Sequence, residues 1–328
     1  MKENKAVIIG ANSFSGNSFT YYLLKKNFKV IGFSRSEKEK NHFSRINQNI
    51  NKYYFYKKDI NLDLKFIINK ILKFKPNYII NYAAQSMVGE SWENPQDWLR
   101  TNSYSMPILY NEISKLNFKT RIVHISTPEV YGSVKKKIYE NEIYAPSTPY
   151  ALSRVTADQY LSIMHKYKNI DYVSVRAANV YGECQKLYRI IPKTIFYCLN
   201  NKKINLHGGG KSTRSFIHID DVSSATYLIM KKAKSGSIFH ITNEKIISIK
   251  KLVKIICKKL NKNFSNSIIV SKDRIGKDSS YNLSANKIKK FGWKPKISLD
   301  EGLDRVIDWV KNNKKIIHVK DLEYFHKK

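Results

Sequence analysis

The sequence predicts an α/β fold built on a doubly wound parallel sheet, and three observations carry that expectation. Short β-branched or aromatic runs alternate with helix-length stretches through the first half, the alternation that generates βαβ units and a parallel sheet. In the intervening stretches apolar residues recur at three- and four-residue spacing, the period of a helix that buries one face. A glycine-bearing turn follows the first run directly and opens the first helix.

In chain order, strands are expected at 6–9, 29–33, 53–56, 78–82, 121–126 and 172–176, with helices at 17–26, 62–74, 96–116 and 150–166. Sheets of this kind bind ligands outside the carboxyl ends of their strands, so the residues just after each strand become the functional candidates. After Gly182 the pattern loosens into loops, among them Leu206-His207-Gly208-Gly209-Gly210, and strand-like sequence returns at 237–241. The expected division is a sheet domain over 1–181, joined by about 215–245, and a smaller, interleaved domain made mainly from 182–328 that packs over the open edge of the sheet. The sequence has no internal repeat or low-complexity block, and its lysine-rich last stretch, 311–328, is expected to fray.

At 328 residues and 42% hydrophobic content the chain can bury one large core or two coupled ones, which excludes a disordered protein. No apolar run reaches the roughly 18 residues that span a bilayer. Met1-Lys2-Glu3-Asn4-Lys5 leads into the first strand with no signal-peptide core, so a cytoplasmic protein without membrane contact is expected. Cys184, Cys198 and Cys257 are scattered without a C-x-x-C pair, which fits a reducing compartment and gives no metal or disulfide framework. The formal net charge of +33 is of the size that marks nucleic-acid binders. Here, however, the lysines are spread along the whole chain, as in Lys135-Lys136-Lys137, Lys202-Lys203, Lys258-Lys259 and Lys289-Lys290, and read as a solvated surface. Such a field still attracts a doubly anionic small molecule.

The first turn reads Gly10-Ala11-Asn12-Ser13-Phe14-Ser15-Gly16, a G-x-x-G-x-x-G spacing with Ser13 in place of the middle glycine. Gly10 allows a tight turn and Gly16 close packing, while Ser13 and Phe14 stand at a helix start whose free N–H groups can hold a pyrophosphate. A bare glycine pattern also occurs as a simple turn, but between a first strand and a first helix it indicates a nicotinamide dinucleotide, NAD(P)+. The second strand ends in Ser34-Arg35-Ser36, without the acidic residue that accepts the ribose hydroxyls of NAD. An Arg flanked by serines suits a 2′-phosphate, so NADP is favoured.

The fifth expected strand runs into Thr127-Pro128-Glu129-Val130-Tyr131-Gly132, and Tyr150-Ala151-Leu152-Ser153-Arg154 opens a later helix. With these, Ala83-Ala84-Gln85-Ser86, Arg176-Ala177-Ala178-Asn179-Val180-Tyr181-Gly182, Arg214-Ser215-Phe216-Ile217-His218-Ile219-Asp220-Asp221-Val222 and Asp273-Arg274-Ile275-Gly276-Lys277-Asp278 extend over nearly the whole chain. In them the sequence resembles the extended short-chain dehydrogenase/reductases of the NAD-dependent epimerase/dehydratase family, and among these the dTDP-glucose and GDP-mannose 4,6-dehydratases. The resemblance implies a Rossmann sheet, a homodimer and a nucleotide-sugar substrate. It also implies a Thr127–Tyr150 pair that serves hydride transfer at the sugar C4, with Arg154 beside Tyr150 at the cofactor ribose. Asp59 and Ile60 fall where the family touches the adenine, although Asp59 reads equally as a helix N-cap. Ala83 and Ala84 match the small-residue wall beside the cofactor.

Glu129 discriminates between the chemistries of this family. Epimerases need only the Thr/Tyr pair, whereas a dehydratase must also remove the C5 proton and expel the C6 hydroxyl, and a carboxylate two residues past Thr127 meets that need. Two residues depart from the pattern: Pro128 stands where dTDP-glucose dehydratases carry a proton-donating Asp, and Arg154 stands where the family has Lys. For the substrate, the resemblance places Ser86 near the sugar, Asn179 near the diphosphate, and Arg214 and Arg274 on phosphate oxygens, which planar guanidinium groups bind bidentately. Arg189 and Lys193 add further cations, while His218 and Asp221 read as loop-holding residues. Two other readings stand beside this one. An epimerase or reductase would leave Glu129 idle, and a basic Rossmann relative binding RNA or a protein would account for Arg154 and the charge; the glycine turn and the Thr/Tyr pair argue against the latter.

Overall fold

The computed structural model describes residues 4–39, 41–46, 50–141, 143–272, 281–317 and 319–326. The chain opens with β1 (Lys5–Ile9), α1 (Phe14–Lys25), β2 (Lys29–Ser34), β3 (Tyr53–Lys57), α2 (Leu64–Phe74) and β4 (Tyr78–Asn81). Two single-turn helices, α3 (Glu90–Glu93) and α4 (Pro95–Trp98), lead through a π-helical stretch, Leu99–Ser105, into α5 (Met106–Ser114). Next come β5 (Arg121–Ile125), a 3-10 turn Pro128–Tyr131, β6 (Val134–Ile138), α6 (Pro149–Lys168), β7 (Tyr172–Ala177) and β8 (Asn179–Tyr181). The remainder comprises α7 (Ile190–Leu199), β9 (Ile204–His207), β10 (Thr213–His218), α8 (Ile219–Lys232), β11 (Ser237–Ile241), β12 (Ile246–Ser248) and α9 (Ile249–Lys259). The last elements are β13 (Ile268–Ser271), β14 (Tyr281–Leu283), α10 (Asn286–Lys290) and α11 (Leu299–Asn313).

Seven strands form one sheet in the order β3-β2-β1-β4-β5-β7-β11, and every pairing in it is parallel. The order reverses direction between β1 and β4, and the crevice at their carboxyl ends is where such a sheet receives a ligand. One face is covered by α1 and α8 through Phe19, Leu23, Ile229 and Met230, the other by α2, α5 and α6 through Ile67, Ile71, Leu109 and Leu161. Burial on both faces explains why β1 reads as a near-continuous apolar run instead of an alternating one. A further core gathers Tyr181, Leu187, Ile191, Ile195, Phe216, Leu252, Ile256 and Leu303 from α7, α9, α11 and the small sheet β8-β10-β12.

Two expectations are corrected. The stretch at Leu206–Gly210 is no simple loop: Leu206 and His207 end β9, which pairs with β13, and only Gly208–Gly210 turns. Nor does the lysine-rich last stretch fray over its described part. Ile317 and Leu322 are buried in the further core, and the His326 ring stacks on Trp98 with centroids 5.0 Å apart. Apolar residues spaced among the lysines anchor it. Among the described residues, no helix is long and apolar enough to cross a membrane, and no three His, Cys, Asp or Glu side chains converge as metal ligands would.

Candidate active site

At the end of β1, Gly10 turns the chain with φ of +83°, a conformation that penalises any side chain. A Cβ there would come within 2.5 Å of the Ala83 nitrogen, so the turn and the segment after β4 touch only because Gly10 has none. A Cβ at Gly16 would meet the Gly10 carbonyl oxygen at 2.3 Å. Ser13, the departure from the glycine pattern, has φ of −64° and needs no glycine. Its Oγ accepts from the Gly16 nitrogen at 3.0 Å and donates to the Gly10 carbonyl at 2.8 Å, so it caps α1 and braces the turn together. The first N–H groups of a helix have no intrahelical acceptor, and the helix dipole favours an anion there; at Phe14 and Ser15 this fits a dinucleotide pyrophosphate.

Ser34 and Arg35 end β2 half-buried, and the Arg35 guanidinium donates to Gln85 Oε1 at 3.4 Å. Since β1 lies between β2 and β4, that bond crosses the ligand crevice. Asn12 ties the neighbouring loop down by donating to the Ser36 Oγ at 3.0 Å. Asp59 is not a helix cap: Asp63 holds the N-cap position of α2, and Asp59 Oδ1 accepts from the Asn61 nitrogen at 2.7 Å. Ile60 is buried, while Ala83 and Ala84 are half-buried after β4.

Thr127 leaves the end of β5 extended and opens the Pro128–Tyr131 turn, its Oγ1 accepting from the Glu129 nitrogen at 3.4 Å. On the facing helix, Thr148 caps α6 by accepting from the Ala151 nitrogen at 3.1 Å, and Pro149 takes the first helical position where no N–H is needed. This places Tyr150 in the first turn, buried, with its hydroxyl in a hydrogen bond with the Thr127 side chain. Burial pushes the Tyr150 hydroxyl up to about 12 and the charge of Glu129 adds to the rise, while Arg154, the Thr127 hydrogen bond and Arg189 oppose it. Thr127, Glu129, Tyr150, Arg154 and Arg189 therefore act on one hydroxyl.

Arg154 is buried, donating from Nη2 to the Ile125 carbonyl and from Nη1 to Met106 Sδ at 3.5 Å. Its Nε has no hydrogen-bond partner among the described residues. Pro128 fills the first position of the turn and offers no proton. Of the substrate candidates, Ser86 and Arg189 are exposed, Arg189 at the start of α7 with Lys193 one turn further on. Asn179 begins β8 beside Phe216 of β10, the strand that carries Arg214, whose Nη1 donates to the Thr213 carbonyl at 2.8 Å. Arg274 lies outside the described residues. His218 bonds Glu183 at 3.0 Å and Asp221 accepts from the Lys296 and Ile297 nitrogens, both holding loops.

Sequence reasoning missed the residues that brace this cluster. Asn102, in the π-helical stretch, accepts from the Gln85 nitrogen at 3.1 Å and donates to the Gln85 carbonyl at 3.0 Å and to Ser153 Oγ at 2.9 Å. The available signal was the polar run Thr101-Asn102-Ser103 inside an otherwise apolar helical pattern. Tyr324 was missed as well: its ring meets Tyr188 edge-on at 5.3 Å, and its hydroxyl, raised by burial and then by Tyr188, is within electrostatic reach of Arg35, Glu90 and Arg189.

A sequence model of the GDP-mannose 4,6-dehydratase family matches residues 7–306. The chain belongs to that family. As a family member it is similar to the dTDP-D-glucose 4,6-dehydratase of Dictyostelium discoideum, 29% identical over 362 residues that cover 94% of this chain and 82% of the relative. Its structure resembles that of DesIV, a dTDP-glucose 4,6-dehydratase from Streptomyces venezuelae solved with NAD bound, with a TM-score of 0.87 at 25% identity, covering 95% of this chain and 98% of DesIV. A UDP-glucose 4-epimerase from Thermotoga maritima shares the fold, with a TM-score of 0.86 at 24% identity over 94% of this chain and 99% of its own. Since an epimerase and a dehydratase superpose on this GDP-mannose 4,6-dehydratase family member almost equally well, the chemistry must be argued from side chains at the site.

Proposed function

We propose that this chain is a nucleotide-sugar 4,6-dehydratase, which converts an NDP-hexose to the NDP-4-keto-6-deoxyhexose and releases one water. The observation that carries this reading is the Glu129 carboxylate beside the Thr127–Tyr150 pair, near enough for its charge to raise the Tyr150 hydroxyl. Held at the Gly10–Gly16 turn and near Arg35, NAD(P)+ would supply the hydride acceptor for the sugar C4 and the hydride donor for C6. Tyr150, as tyrosinate, accepts the O4 proton while Thr127 shares the hydrogen bond, and the fixed charge of Arg154 favours the tyrosinate. The ketone formed at C4 acidifies the C5 hydrogen. Glu129 removes that proton, a C5–C6 double bond forms, and the C6 hydroxyl leaves as water. With Pro128 unable to donate, protonated Glu129 itself supplies the proton to the leaving hydroxyl. C5 then takes up a proton from solvent while Tyr150 gives the O4 proton up to solvent, so hydrogens lost from O4 and C4 are replaced at C5 and C6 and the sugar has lost one water.

In this reading residues 1–181 with 215–245 hold the cofactor, and 182–328 supply most of the sugar-nucleotide contacts, with Asn179, Arg189, Lys193, Arg214 and Arg274 toward the diphosphate and Ser86 toward the sugar. NADP is the preferred cofactor, supported by Arg35 between two serines at the end of β2. The active unit is a homodimer paired through α6 and the π-helical stretch Leu99–Ser105, where Leu99, Tyr104, Leu152, Ile163 and Tyr167 are exposed.

Glu129→Gln tests the base. The variant should lose dehydration yet still reduce bound NAD(P)+ slowly on adding substrate, because oxidation at C4 precedes elimination. Full dehydratase turnover in the variant would remove Glu129 from this role.

A further inference from the structure

Glu129 rides on a short turn, and a base on a short turn is only as well aimed as the turn is held. Its near end is fixed by backbone bonds, from Gly132 to the Glu129 carbonyl at 2.9 Å and from Ala145 to the Val130 carbonyl at 3.0 Å. Its far end is Tyr131, a buried side chain that reaches out of the turn through its hydroxyl. That hydroxyl accepts from Arg176 Nη1, hydrogen-bonds His240 Nε2 at 2.8 Å and donates to the Asn141 carbonyl at 3.4 Å, while the Arg176 guanidinium lies over the ring at 4.7 Å. His240 is pushed down to about 3, first by burial and then by the Arg176 charge, so it is neutral and can accept.

Arg176 continues to Asp158 Oδ2 at 2.7 Å. Asp158 lies further along the helix that carries Tyr150, and it also receives Ser126 Oγ at 2.7 Å and meets His124 Nε2 at 2.8 Å, both from the strand segment leading to Thr127. Burial alone would raise Asp158; the His124 hydrogen bond and the Arg176 charge overcome it and hold the carboxylate below the usual range. One buried carboxylate thus ties the Tyr150 helix to the Thr127 strand, and Arg176 with Tyr131 extends the tie to the Glu129 turn.

We infer that Tyr131 is a positioning residue for Glu129: its hydroxyl, clamped between Arg176 and His240, fixes the carboxylate relative to the sugar C5 and so serves elimination without serving hydride transfer. The inference rests on the dehydratase reading. Tyr131→Phe deletes one oxygen, leaves the ring packed with Val130, Ile138, Val155 and Leu283, and leaves Arg176 on Asp158.

The test measures two half-reactions in D2O, with dTDP-glucose, UDP-glucose and GDP-mannose as probes: reduction of bound NAD(P)+ on mixing, and entry of deuterium at C5. The expected result for Tyr131→Phe is a loss of about ten- to hundredfold in C5 exchange and kcat, the cost of small misplacements of a reacting group. KM and the rate of NAD(P)+ reduction should stay within about twofold of wild type, a difference well under 1.4 kcal/mol. His240→Leu, which removes the nearer acceptor of the hydroxyl, should give the same split. Placed on Glu129→Gln, Tyr131→Phe should change nothing further. Unchanged C5 exchange in both variants, or equal losses in both half-reactions, overturns the Tyr131 inference alone. Absence of C5 exchange in wild type overturns it together with the dehydratase reading.

Discussion

The Tyr150 hydroxyl gives the site a pH signature. Burial and the Glu129 charge push it up to about 12, so a hydride step that needs tyrosinate must accelerate as pH rises toward that value. Glu129→Gln deletes one raising charge, which lowers the value and moves the acceleration to lower pH. Single-turnover NAD(P)+ reduction across neutral to alkaline pH, in both proteins, checks this; a profile that stays put or moves upward puts Glu129 out of reach of Tyr150. Arg35 carries the second residue-level prediction. A 2′-phosphate would gain charge-assisted bonds worth about 1.5–3 kcal/mol each, so NADP should bind at least about tenfold more tightly than NAD. Arg35→Ala should erase most of that preference with little effect on NAD, read by calorimetric titration; equal affinities in wild type would contradict it. Thr127, Glu129 and Tyr150 were legible in the sequence because each follows a strand end or opens a helix at a recognisable spacing. Asp158, Arg176 and His240 were not, because their partners lie on elements far apart in the chain, and a buried polar network leaves no local pattern.

Among the elements, the helix expected over 96–116 proved to be two pieces, α4 and α5, joined by the π-helical stretch Leu99–Ser105. A π turn carries an extra residue and re-aims side chains, and such turns gather at functional sites. Here it turns Asn102 inward, where it closes both backbone groups of Gln85 and reaches the helix of Tyr150 through Ser153, whose Oγ donates to the Tyr150 carbonyl at 2.7 Å. Asn102→Ala leaves those buried groups unpaired, at a cost of about 1–3 kcal/mol each. It should lower the melting temperature and weaken cofactor binding together, since Gln85 follows the Ala83–Ala84 wall; a variant as stable as wild type would contradict the clamp. The strands themselves were legible to within a residue or so at each end, because each is a short β-branched or aromatic run set between helix-length stretches. β9 was not, since three following glycines mask a short strand whose partner, β13, lies far along the chain.

At the scale of the whole molecule, the doubly wound sheet followed from the alternation of runs, yet the return of the chain through β11 to the sheet edge shows in one strand-like segment only. The further core around α7, α9 and α11 was less legible, because each helix is amphipathic by itself and no local signal says which faces meet. The net charge of +33 accompanies an ordinary family fold, consistent with a surface composition and with attraction of a sugar diphosphate. The central claim, that this fold carries elimination and not hydride shuttling alone, is met most directly by incubating the protein with NADP or NAD and a panel of dTDP-glucose, UDP-glucose and GDP-mannose, and weighing the sugar nucleotide by mass spectrometry. The account predicts that one of them loses the mass of one water and becomes a 4-keto-6-deoxy sugar nucleotide. A product of unchanged mass with an inverted C4 would contradict it.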